Sequence, residues 1–157
     1  MQLSKNLALA EVMRSETAKR KGISNMPTPE HIENFKLLAE KVFQPIREHF
    51  GVPIILSSGY RSKELNTAVG GALSSQHCTG EAIDIDMDGS DDGVTNVDVF
   101  YHIKDILSFD QLIWEGGTDI SPDWVHVSYN PFKEQRNQIL RMVKVNGKPI
   151  YSPYKSL

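Results

Sequence analysis

An imidazole and a carboxylate stand seven positions apart in Ser75-Gln76-His77-Cys78-Thr79-Gly80-Glu81-Ala82-Ile83-Asp84, with a glycine between them. His77 lies in a polar stretch of small residues, whereas Asp84 falls in the alternating run Ala82-Ile83-Asp84-Ile85-Asp86-Met87, which reads as a half-buried strand. A loop residue and a strand residue can converge on one point. Trp124-Val125-His126-Val127-Ser128-Tyr129 offers a third donor on a second alternating strand. There Trp124, His126 and Ser128 share one face and Val125, Val127 and Tyr129 the other, so His126 is expected on the polar side. Two nitrogens and one carboxylate oxygen form the set that holds a single catalytic Zn2+ and leaves its fourth position open. Zinc so held acidifies water and polarises a carbonyl, which is the chemistry of hydrolysis.

The rest of the chain reads as scaffold for these residues. Residues 7–22 have helix-forming composition, with Ser15 as a cap and Gly22 as a stop, and predict one or two short helices. Thr28-Pro29-Glu30 is the clearest helix start, and Ile32, Phe35, Leu38, Ala39, Val42 and Ile46 place one apolar stripe along a helix to about Phe50. Pro45 is expected to bend it. Residues 52–58 read as a buried strand delivering Gly59-Tyr60-Arg61, and Ser62 caps a short helix closed by Gly70-Gly71. Residues 88–93 form a polar exposed turn, a helix starts at Asn96, and strands follow over 111–114 and 124–129. Asn146-Gly147 between apolar runs signals a hairpin. Helices gathered early and strands gathered late predict an α+β fold in one domain over 1–157, with N-terminal helices on a small, mainly antiparallel sheet.

The 157 residues, 39% hydrophobic and 24% charged, suffice for one soluble globular core. A net charge of -3 gives no basic footprint, so nucleic acid is not expected as a partner. No run reaches the length of a membrane span, and the first residues lack a signal-peptide pattern, so synthesis in a cytoplasm as a monomer is the expectation. The single cysteine, Cys78, has no internal disulfide partner. It adjoins His77 and would point away from it in an extended segment, which argues against a thiol nucleophile. Asp84, Asp86 and Asp88 resemble the first half of a calcium loop, but Thr95 stands where a bidentate glutamate belongs. His31, His49 and His102 fall on helical surfaces without acidic partners and are expected to be solvated.

Residues 75–84 match throughout the pattern Ser-x-His-x-x-Gly-x-Ala-x-Asp of the zinc D-Ala-D-Ala carboxypeptidases and L-alanyl-D-glutamate endopeptidases, a family related in fold to the hedgehog signalling domain. Ser57-Ser58-Gly59-Tyr60-Arg61-Ser62 and Trp124-Val125-His126-Val127-Ser128 resemble that family's flanking motifs. The resemblance covers roughly residues 28–145 and is closest to compact phage members, endolysins or virion-associated wall hydrolases. It implies a peptidase of the peptidoglycan stem peptide that reaches the wall after phage lysis, virion delivery or another export route. His77, Asp84 and His126 would be the zinc ligands, and Asp123, three before His126, the general base. Many relatives carry glutamate there and tryptophan directly before the histidine, whereas this chain has Asp123-Trp124-Val125-His126. Glu115, at the end of a neighbouring strand, is the reserve base. Arg61 would stabilise the oxyanion or hold a substrate carboxylate, its alternative being an ion pair with Asp84 or Asp86. Ser75 and Gln76 would orient substrate, and the aromatic residues Tyr60, Trp114 and Trp124 are candidates to line its groove. The competing reading is a catalytically silent module that keeps its zinc.

Overall fold

The computed structural model describes residues 1–156. The chain opens with a feature the sequence pattern does not announce, a ribbon of β1 (Gln2–Ser4) and β2 (Leu7–Ala8). The two expected short helices follow as α1 (Leu9–Met13) and α2 (Glu16–Lys21). Ser15 caps the second by accepting from the Ala18 N–H, and Gly22, at φ 66°, ends it in the left-handed region.

Thr28 accepts from the His31 N–H and Pro29 occupies the first turn, which starts α3 (Pro29–Leu38). The helix continues without a break to α4 (Gln44–Phe50) through a π-helical turn, Ala39–Phe43. Pro45 has no N–H to give to the fourth residue before it, and its ring would crowd that carbonyl. The widened turn, in which the Gln44 N–H reaches back to the Ala39 carbonyl, makes room for the ring. At the position where a bend is expected, the proline is accommodated by an insertion into the helical ladder, a feature that commonly accompanies kinks.

The remaining elements are β3 (Leu56–Ser58), α5 (Lys63–Ala68), a 3-10 turn (Gln76–Thr79), β4 (Ala82–Ile85), α6 (Asn96–Ile106), β5 (Gln111–Glu115), β6 (Trp124–Ser128), β7 (Gln138–Val145) and β8 (Lys148–Pro153). Six strands form one sheet in the order β3-β4-β6-β5-β7-β8. All neighbours are antiparallel except β5 and β7, so the α+β expectation holds with a mixed sheet. The buried strand expected over 52–58 shrinks to three residues at the sheet edge, none of them buried. Pro53, lacking a backbone donor, suits the irregular approach to it. Asn146 and Gly147 both have positive φ, as the hairpin turn between β7 and β8 requires.

One face of the sheet is the core. Ile83, Ile85, Val125, Val127, Leu112 and Trp114 join Phe35, Leu38, Val42 and Ile46 of the long helix in a single apolar cluster. Each such side chain contributes about 1.5–3 kcal/mol on full burial. A slip of one residue would turn the whole strand set outward, so the register is fixed. That same constraint turns Asp84 and His126 to the opposite face, where β4 is not half-exposed as expected but buried along its whole length.

Candidate metal centre and substrate cleft

Asp84 and His126 are direct cross-strand partners on β4 and β6. His126 Nδ1 lies 3.0 Å from Asp84 Oδ1. His77 comes to the same oxygen from the 3-10 turn, its Nε2 at 3.2 Å. The ligand atoms of His77, Asp84 and His126 all fall within 4.8 Å of one another, and all three residues are buried.

The turn that carries His77 is built for this approach. Ser75 Oγ accepts from the His77 N–H at 3.3 Å, and Gly80 closes the turn at φ 75°. A Cβ on Gly80 would run into the His31 carbonyl. Gly80→Ala is therefore expected to cost at least about 1–2 kcal/mol from the left-handed backbone alone. A thermal melt reads that loss, and loosened metal affinity should accompany it. His77 Nδ1 stands 2.7 Å from the Gly59 carbonyl, which can only accept. The proton of the neutral ring therefore sits on Nδ1 and a lone pair on Nε2. Nε2 is buried without a hydrogen-bond partner, Asp84 being too far off its axis. A buried, unpartnered nitrogen beside a carboxylate and a second imidazole fits a zinc ion held by His77, Asp84 and His126.

Burial pushes the Asp84 carboxyl up, but His77 and His126 more than offset that and hold it below the ordinary carboxylate range. Its second oxygen faces Arg61, whose Nη2 is 3.8 Å away. Arg61 is steadied by Asn66, which accepts from Nη1 at 3.2 Å and is itself tied to the Ala72 carbonyl. Arg61 Nε is buried and unpartnered. The guanidinium lies beside the His77, Asp84 and His126 cluster, and Arg61 lines a cavity of about 570 Å3 shared with Arg14, Glu16, Ser57, Ser58 and Asp84.

The two candidate bases are placed differently. Glu115 lies on the ligand face of β5, where its cross-strand partner is Trp124 and His126 is its diagonal neighbour, a spacing of about 7–8 Å. It is buried, and that burial pushes its carboxyl up to about 7. Asp123 precedes β6 in the phase of Val125 and Val127, is exposed, and accepts from the Gly117 N–H at 3.0 Å. It secures the loop after Glu115 and is not brought into the ligand cluster.

Among the remaining candidates, Trp124 sits half-buried on the ligand face beside Glu115. Tyr60 is a core residue at 6% exposure, edge-on to Phe35 and bonded to His31 Nδ1 at 3.3 Å, with only part of it reaching the cavity. His31 is consequently not the free surface histidine expected. His49, exposed as expected, stacks on the half-buried His102 at 3.7 Å between ring centres. Ser75 and Gln76 act on the protein: Ser75 caps the His77 turn, and Gln76 donates to Asp110 Oδ2 at 3.0 Å. Asp110 also accepts three bonds from Arg136, two from the guanidinium and one from the backbone N–H, which anchors the turn to the segment before β7. Burial pushes the Cys78 thiol up, which agrees with a bystander. Asp86 and Asp92 spend oxygens on turn N–H groups, and Thr95 caps α6 rather than facing them.

The sequence pattern of the peptidase M15 family matches residues 5–128, about four-fifths of the chain. The chain belongs to the peptidase M15 family. This is the family of the zinc D-Ala-D-Ala carboxypeptidases that the motifs resemble, and membership indicates a metallopeptidase. No curated protein matches the chain. Among the described residues no helix is long and apolar enough to cross a membrane.

Proposed function

We propose that this M15 chain is a zinc-dependent peptidoglycan peptidase that cuts a peptide bond of the wall stem peptide, as a D-Ala-D-Ala carboxypeptidase or an L-Ala-D-Glu endopeptidase. The observation that carries the reading is the buried His77, Asp84 and His126 cluster beside a cavity that Arg61 lines. The setting we propose, on the likeness of the motifs to compact phage enzymes, is a phage endolysin or virion-associated hydrolase.

Zinc bound by the three ligands would supply Lewis acidity toward water and the scissile carbonyl. Glu115 is the base in this proposal, ahead of Asp123. Its carboxylate takes a proton from the attacking water as the water oxygen bonds to the carbonyl carbon. The same proton passes to the leaving nitrogen when the C–N bond breaks. Arg61, whose side chain lines the cavity, turns its guanidinium to the negative oxygen or to a neighbouring substrate carboxylate. Trp124 forms an apolar wall beside Glu115.

Digestion of purified peptidoglycan by the zinc-loaded chain, followed by mass spectrometry, tests the reading. Release of free D-alanine is expected for carboxypeptidase action, and new D-glutamate N-termini for endopeptidase action. Intact stem peptides from a fully loaded protein would instead favour the silent, wall-binding module.

A further inference from the structure

The family match ends at Ser128, before the hairpin of β7 and β8. The sheet nonetheless carries the ligand face across to that hairpin. Glu115 is paired with Met142 on β7, and Met142 with Tyr151 on β8. Directly opposed residues project to the same side of a sheet, so Tyr151 shares the face of Asp84, His126 and Glu115. Two strand spacings, about 10 Å, separate Glu115 from Tyr151, and a phenol leaning back over Met142 covers most of that gap. Met142 is 4% exposed, whereas Tyr151 is 51% exposed and open to a ligand.

Burial pushes the phenol up, and the carboxylates of Glu115 and then Asp84 raise it further against the pull of Arg61. It is therefore a proton-bearing donor at neutral pH. Arg61 follows β3 at one end of the row of strands, and Tyr151 stands at the other end on β8. A peptide lying across the ligand face would meet a donor on each side of the metal centre.

We propose that Tyr151 is a substrate-contacting residue, its O–H donating a hydrogen bond to a carbonyl oxygen of the peptide on the Glu115 side of the scissile bond. This rests on the peptidase reading and adds the hairpin as a second wall of the cleft. The partner is an extended peptide backbone, and the donor is specific to a segment outside the family match.

The test uses the zinc-loaded full chain and two phosphinate peptides that mimic the tetrahedral stage of D-Ala-D-Ala and L-Ala-D-Glu hydrolysis. Tyr151→Phe should weaken whichever phosphinate the wild type binds by about three- to tenfold, as loss of one hydrogen bond predicts. Ile150→Ala is the control, because Ile150 pairs with Val143 on the opposite face and should leave affinity unchanged. Equal affinities for wild type and Tyr151→Phe overturn the proposal. So does an equal loss in Ile150→Ala, or failure of the wild type to bind either peptide. Binding is measured without turnover, so a chain that binds phosphinate but leaves peptidoglycan intact would sink the wall-peptidase reading while Tyr151 is still decided.

Discussion

Glu115→Gln is expected to lower kcat by about 10²–10⁴-fold, the usual worth of a positioned acid-base group. The same substitution should stabilise the metal-free chain at pH 8 by about 3 kcal/mol. Both effects come from one feature, a carboxyl buried on the ligand face and pushed from 4.5 up to about 7. The folded chain holds this proton more tightly than the unfolded chain. The stabilising contribution is therefore complete below about pH 4.5 and lost as pH rises through about 7, where the buried carboxylate must ionise. Glutamine keeps the shape and removes the charge. Denaturant unfolding should show the variant and wild type converging near pH 4 and separating toward pH 8. Asp123→Asn, which loosens only the Gly117 contact, should leave kcat within a few-fold of wild type. The reverse pattern, with Asp123→Asn inactive and Glu115→Gln active, would return the base to Asp123. Activity without any rise in stability would show that the Glu115 carboxyl is solvated.

The choice between these acids shows where sequence reading stops. His77, Asp84 and His126 are legible because their types, their spacing and the alternation around two of them survive folding unchanged. Asp123 attracts attention by its distance from His126 along the chain, but alternation puts it in phase with the core residues Val125 and Val127. Glu115 is separated from His126 by a loop, and only the register that pairs Ile113 with His126 brings it to the ligand face. Tyr151 needs two further pairings, one across the parallel junction of β5 and β7. The hairpin turn at Asn146 and Gly147 is visible in sequence, whereas a parallel pairing leaves no local signal. Elsewhere, tertiary context overrode local pattern. The alternation of Asp84 with isoleucines predicts a half-exposed β4, yet its polar face is covered by the His77 turn and the Arg61 side chain. The N-terminal ribbon leaves no sequence signal because two or three residues are too few to establish a period.

Stripping the metal with a chelator should abolish hydrolysis, and zinc should restore it. With free zinc at about 100 times its Kd, binding to the folded chain alone adds about 2.7 kcal/mol, or roughly 5–10 °C in Tm for a chain of this size. His126→Ala should lose both the activity and this zinc-dependent shift. It removes more than one ligand atom. In the metal-free chain His126 Nδ1 is the closest partner of Asp84 Oδ1, and Asp84 is a buried carboxylate whose charge otherwise rests on His77 and on Arg61 at 3.8 Å. The variant should therefore melt below the wild type even without zinc, and more so above the ordinary carboxylate pKa, where Asp84 is charged in both states. His102→Ala separates this from a general cost of losing a histidine, since His102 stacks on His49 away from the ligand cluster. It should keep the full zinc shift. A zinc shift that survives in His126→Ala would mean that the ion is held elsewhere, and the face shared by Asp84 and His126 would lose its claim to be the catalytic one.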